Sequence, residues 1–162
     1  MQLIFNKKLK IWREQAACIG ILVILTFFVF PMAICAQPDD TQKNKKLVED
    51  FFTLAFVDKK VEEAFNMYVG DNYIQHDPNF PDKNSTIESL TKLFSNPQIE
   101  VSVKRVIAEN NLVALHLHSK NSPEDIGVAI IEIFRVDGGK IVEHWSVMQS
   151  VPEKSANENT MF

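Results

Sequence analysis

Four stretches in the second half of this 162-residue chain are built mainly from Val, Ile and other apolar residues, and short clusters of turn residues divide them. They run Ile99–Glu109, Leu112–Lys120, Ile126–Asp137 and Lys140–Gln149, with Asn110-Asn111, Asn121–Asp125 and Gly138-Gly139 between them. β-Branched and aromatic residues suit a pleated surface. Connections this short return each strand antiparallel beside the one before it. An antiparallel meander of four strands follows.

Ahead of the meander the period is helical. From Lys45, the residues Leu47, Val48, Phe51, Phe52, Leu54, Ala55 and Phe56 recur at helical spacing. A second short helix is predicted over Val61–Tyr68, with Ala64, Phe65 and Tyr68 on one side. After a loop rich in Pro and Asn, Ser85 and Glu88 form a capping-box pattern that opens a third helix through Ile87, Leu90, Leu93 and Phe94, and Pro97 ends it. Helices first and sheet after give an α+β domain with the helices packed on one sheet face.

The first 36 residues belong to a different class. Lys7, Lys8, Lys10 and Arg13 precede an uncharged run from Ala16 to Ala36 that is broken by Pro31 and closes on small residues. Basic, then apolar, then small is the order of a secretory signal peptide, and cleavage after Ala36 leaves a chain that starts at Gln37. The rival is an uncleaved membrane anchor, since about 20 apolar residues span a bilayer. Either way the domain is expected outside the cytoplasm, periplasmic or secreted, with a membrane association only if the leader stays. Ile34 before Cys35 suits a lipoprotein poorly. Residues 37–44 read as a linker and 45–162 as the domain. The net charge is −4 overall but +3 on residues 1–36, leaving −7 on the rest. So acidic a domain repels phosphate backbones, so nucleic acid is not an expected partner. The only cysteines, Cys18 and Cys35, lie in the leader, so neither a disulfide nor thiol chemistry is expected of the domain.

Turn lengths predict which side chains share a face. A two-residue turn at Gly138-Gly139 pairs Asp137 with Lys140 and sets Glu132 opposite Trp145. A five-residue loop at 121–125 pairs Lys120 with Ile126, setting Ala114 opposite Glu132, and a tight turn at Asn110-Asn111 sets Arg105 opposite His116. One face then carries Arg105, His116, His118, Ile130, Glu132, Phe134, Trp145 and Val147. The other carries Val113, Leu115, Leu117, Ala129, Ile131, Ile133, Val142 and Met148. Both faces are largely apolar, yet three helices cover only one, so a second copy of the chain is the expected cover for the other.

Glu132 is the most informative residue, a carboxylate between Ile131 and Ile133 in an apolar run. A carboxylate in such a setting costs free energy unless paired, and enzymes use desolvated carboxylates as general bases. The structural alternative is an ion pair with Arg105 on the same predicted face. His116 and His118 point to one side and could shuttle protons with Glu132, hold a metal with it, or simply line the sheet. No His-Glu-x-x-His motif occurs, and no metal is expected. Tyr73 and His76, in the run Tyr73-Ile74-Gln75-His76-Asp77-Pro78, could close a pocket mouth or belong to a capped loop. Trp145 is either core or a wall for a flat apolar ligand, and His144 is predicted on the opposite face. Gly-rich phosphate loops and nucleophile elbows are absent from the sequence, which argues against nucleotide hydrolysis and serine or cysteine hydrolase chemistry.

Taken in order, Tyr73–Pro78, His116-Leu117-His118, Glu132-Ile133-Phe134-Arg135, Gly139–Trp145 and the tail Gln149, Pro152, Asn157, Asn159, Met161, Phe162 resemble the SnoaL-like polyketide cyclase family of the nuclear transport factor 2-like superfamily. The resemblance implies a cone-shaped α+β fold, a curved antiparallel sheet wrapped around N-terminal helices with an apolar pocket. It implies sheet-packed dimers and aldol ring closure on a small carbonyl compound without metal or cofactor. Matched by motif, it puts the acid at Glu132 and the assisting histidine at His118. His76, Tyr73, His116, Trp145 and Arg105 are the remaining candidates for ligand contact. Two residues depart from the family pattern: Glu132 replaces the usual Asp, and Ser146 stands where close relatives carry Asp. A non-catalytic module that captures small apolar ligands is the alternative on the same fold.

Overall fold

Residues 40–162 are described in the computed structural model; the expected leader lies outside them. The chain enters through helix α1 (Thr41–Phe52), continued by a π-helical turn at Thr53–Val57. α1 begins four residues before Lys45, within the stretch expected as linker, because its polar first turn is tied down. Asn44 N–H donates to Asp40 O at 2.8 Å, and Asn44 Nδ2 to Asn110 O at 3.0 Å. In the π turn, Asp58 N–H donates five residues back to Thr53 O. Residues five apart therefore share a face, and Phe51 and Phe56 meet edge to face at 6.0 Å.

Helix α2 (Val61–Tyr68) occupies the expected residues and runs directly into strand β1 (Val69–Gln75). Helix α3 (Lys83–Phe94) opens one turn earlier than the Ser85 pattern suggests, because Asp82 is the cap and accepts from Ser85 N–H at 2.8 Å. Those hydrogen bonds, chiefly from the Ser85 backbone, hold the Asp82 carboxyl below its usual value. The four meander strands follow as β2 (Glu100–Glu109), β3 (Leu112–Lys120), β4 (Val128–Asp137) and β5 (Lys140–Ser150). The sheet order is β1-β5-β4-β3-β2, and β1 adds parallel to β5 while all other pairs are antiparallel. The result is a curved α+β cone. Val48, Phe51, Ala55, Phe65, Val113, Leu115, Phe134 and Ile141 form its buried centre. Burying each of the larger side chains contributes about 1.5–3 kcal/mol. Among the described residues no helix is long and apolar enough to cross a membrane.

Two irregularities overturn the register expected from turn lengths. At Gly138 (φ 55°) and Gly139 (φ 74°) the tight turn forms, and Asp137 pairs with Lys140. One extra residue then enters β5, since Val136 pairs with Ile141 but Arg135 with Glu143. This bulge at Val142 sets Glu132 opposite Ser146 rather than Trp145, which pairs with Ile133. Between β3 and β4, Ser119 pairs with Val128, so Leu115 rather than Ala114 lies opposite Glu132. The longer connection is closed by Asp125, whose carboxylate accepts from Asn121 N–H at 2.8 Å and Gly127 N–H at 2.9 Å. Only glycine fits at 127. Its φ is +87°, and a Cβ there would stand 2.4 Å from Ser119 O.

Each one-residue slip exchanges the faces of a strand. Leu115, Leu117, Ile130, Glu132, Phe134, His144 and Ser146 share the helix-side face. Arg105, His116, His118, Ile131, Trp145 and Val147 share the outer one.

Candidate functional site

Between the helices and the inner sheet face lies a cavity of about 320 Å³, at the small end of the range for ligand pockets. Seven phenylalanines and Tyr73 form most of its wall. The helices supply Phe51, Phe65 and Phe94, the π turn Phe56, and the loop after β1 Phe80. Among its lining residues only Tyr73, Asp77, Glu132 and His144 have ionisable side chains.

Glu132 is the polar centre. Its Oε2 is hydrogen-bonded to His144 Nε2, and its Oε1 accepts from Ser146 Oγ at 3.2 Å. The side chains of His144 and Glu132 keep 10% and 19% of their surface exposed. β5 positions His144 and Ser146 two residues apart on the inner face, and β4 delivers Glu132 opposite Ser146.

A directed chain of hydrogen bonds fixes the protons. Thr86 Oγ1 donates to Asp82 O at 2.7 Å, leaving a lone pair to accept from Gln75 Nε2 at 3.3 Å. Gln75 Oε1 accepts from the backbone N–H of Asp77 at 3.0 Å, and a backbone N–H can only donate. The amide is therefore oriented. His144 Nδ1, 2.8 Å from the same Oε1, must carry a proton. In neutral His144 the lone pair then sits on Nε2 and faces Glu132, so carboxyl and imidazole share one further proton between them. Burial, and after it the charge of Glu132, raises the Tyr73 phenol above its ordinary range. It stays a neutral hydrogen-bond donor at the cavity wall.

Of the residues expected from sequence, the structure brings Glu132 and Tyr73 to the cavity. The expected pairing of Glu132 with His118 does not occur. His118 is on the outer face, bonded through Nε2 to Ile126 O at 2.9 Å and stacked on Phe162 at 4.0 Å. His116 lies beside it and accepts from Arg105 Nη1 at 2.9 Å, so Arg105 does not pair with Glu132 either. Trp145 is outside the cavity, stacked on His76 at 4.8 Å, and His76 Nε2 bonds Glu143 Oε1 at 2.7 Å. Sequence reasoning missed His144, Gln75, Asp77 and Ser146 as site residues. A signal for two of them was present, because Tyr73, Gln75 and Asp77 alternate as same-face residues of a strand do. Among the described residues no cluster of His, Cys, Asp and Glu is arranged to hold a metal ion.

Residues 48–144 match the model of the SnoaL-like domain family. No curated protein matches the chain. Among solved structures it is similar to AclR of Streptomyces galilaeus, a candidate hydroxylase, at 18% identity and TM-score 0.56, covering 67% of this chain and 90% of that one. A candidate SnoaL-like polyketide cyclase from Jannaschia sp. CCS1 aligns at 15% identity and TM-score 0.55, covering 68% and 88%. A nuclear transport factor 2-like protein of unknown function from Mesorhizobium loti aligns at 12% identity and TM-score 0.58, covering 69% and 95%. At such identities the likeness to these structures carries the fold alone.

Proposed function

We propose, from the premise that this chain belongs to the SnoaL-like domain family, that it is a cofactor-free enzyme of the cyclase or isomerase type acting on a small carbonyl compound. The observation that carries this is the Glu132–His144 pair at the wall of an aromatic cavity. With the shared proton on His144, Glu132 is a carboxylate in a water-poor site and can take a proton from the carbon next to a carbonyl. The electron pair of that C–H bond moves to the carbonyl oxygen, and the neutral Tyr73 phenol is the donor available to it. A hydrogen bond to a developing enolate in such a site is among the largest contributions to this chemistry. Glu132 then returns the proton, either to another carbon or to the alkoxide left when the enolate carbon closes a ring on a second carbonyl. His144 takes the assisting role that the family resemblance gives to His118.

Proton–deuterium exchange by NMR against a panel of ketones and aldehydes tests this reading. Exchange at the α-carbon is expected, and Glu132→Gln should reduce it by about 10²–10⁴-fold, the usual contribution of a general base. Unchanged exchange in that variant removes Glu132 from the mechanism. A second reading, ligand capture without turnover, is favoured by one observation: both Glu132 oxygens already have protein partners. Binding without exchange would establish it.

The proposal includes export of the domain to the periplasm or beyond, and a homodimer formed through the outer sheet face. That face leaves Ile107 67% and Val147 68% exposed, and apolar area of this kind marks an interaction surface. Sedimentation should give a dimer for the wild-type chain and a monomer for Val147→Arg; a wild-type monomer overturns the dimer.

A further inference from the structure

The cavity contains a second carboxylate that the Glu132 chemistry does not use. Asp77 follows β1, lines the cavity and is only 5% exposed. Its Oδ1 is fully engaged, accepting from Asn79 N–H at 2.9 Å and Asn79 Nδ2 at 2.7 Å. Its Oδ2 has no partner among the described residues. No fully buried side-chain polar atom lacks a partner there, so this oxygen keeps accessible surface. The cavity as a whole is lined by seven phenylalanines, with no lysine or arginine among its lining residues. The one cationic candidate, His144, is already paired with Glu132.

A carboxylate oxygen at the wall of an aromatic cavity that only water reaches is open to a donor brought by a ligand. An anionic ligand would meet only repulsion and no countercharge. A protonated amine would answer Oδ2 with a charge-assisted hydrogen bond, and aromatic faces attract the same cation. We propose that this cavity selects ligands carrying a protonated amine, with Asp77 as the residue that receives it, and rejects carboxylates and phosphates. The inference rests on the cavity being the ligand site of the proposed function, and it needs no turnover there. The substrate class becomes a small aromatic or apolar aminocarbonyl compound, whose amine meets Asp77 while the carbon next to its carbonyl meets Glu132.

Three naphthalene probes of nearly equal size separate charge from shape: 2-naphthylmethylamine, 2-naphthylmethanol and 2-naphthoate. Titration calorimetry on the full chain at neutral pH should rank amine over alcohol by about tenfold, with the carboxylate weakest. That ranking is read on the wild-type protein and needs no variant to fold. Asp77→Asn should bring amine and alcohol to equal affinity while alcohol binding persists, and Glu132→Gln should leave the amine preference in place. Equal binding of amine and carboxylate, or no binding of any probe, overturns the proposal. So does an amine preference that survives Asp77→Asn or disappears in Glu132→Gln. Charge selection and α-proton exchange fail separately: lost exchange leaves the ranking standing, and a lost ranking leaves the exchange.

Discussion

β5 places a histidine–glutamate pair on each face of the sheet, and the two pairs behave differently. Inside, His144 meets Glu132 beside an aromatic cavity. Outside, His76 meets Glu143, and Glu143 Oε2 also accepts from Arg135 Nε at 2.5 Å. The outer carboxylate has a permanent cation, and its histidine, 39% exposed, is pinned flat against Trp145. Those partners, His76 first and then Arg135, hold the Glu143 carboxyl below its ordinary value. It remains charged and committed to its neighbours, a strut between β1, β4 and β5. The inner pair has no such cation, shares one proton, and borders the space where a ligand fits. Residue types alone do not make a reactive pair; the surroundings decide whether its proton is free to move.

Exchanging the two glutamates in turn breaks this comparison most severely. Glu132→Gln should abolish α-proton exchange by about 10²–10⁴-fold with the fold retained by circular dichroism. Glu143→Gln should leave exchange within about twofold of wild type. Equal losses in both would mean that the outer pair supports the chemistry as much as the inner one.

A smaller effect is expected at Gln75, a positioning residue that reaches the reaction only through His144. Gln75→Leu removes the acceptor at Nδ1, so the imidazole is no longer held to one tautomer and exchange should fall about tenfold. Gln75→Glu keeps an acceptor for both His144 and the Asp77 N–H and should recover most of the rate. Nitrogen-15 shifts of His144 give a readout independent of rate. A single tautomer in wild type and a mixture in Gln75→Leu is the expected outcome, and a mixture already in wild type would sink the assignment.

That these residues needed coordinates to find has a local cause. Apolar spacing located the helices because buried rings such as Phe51 and Phe65 must recur on one side. Gly138-Gly139 located a hairpin because both residues adopt positive φ, which other residues rarely do. Glu132 stood out as a charge among isoleucines. A bulge, in contrast, has no residue signature at Val142, and the β3–β4 connection extends to Gly127 although its turn residues end at Asp125. Two slips of one residue were enough to exchange His118 for His144 as the neighbour of Glu132. β1 escaped notice because its residues Val69–Gln75 are largely polar and its partner β5 lies about 70 positions away, a parallel pairing that no turn announces.

The outer pair gives the smallest and most specific effect, one of pH on stability. Its folded carboxyl titrates below the unfolded value near 4.5. The stabilisation it supplies is therefore complete above that value and is lost as pH falls through the lower, folded one. The melting-temperature gap between wild type and Glu143→Gln should thus hold from neutrality down to about pH 5 and close below pH 4.5. A gap that widened with acid would show Glu143 to be strained by its neighbours rather than held by them, and the contrast between the two faces would lose its electrostatic basis.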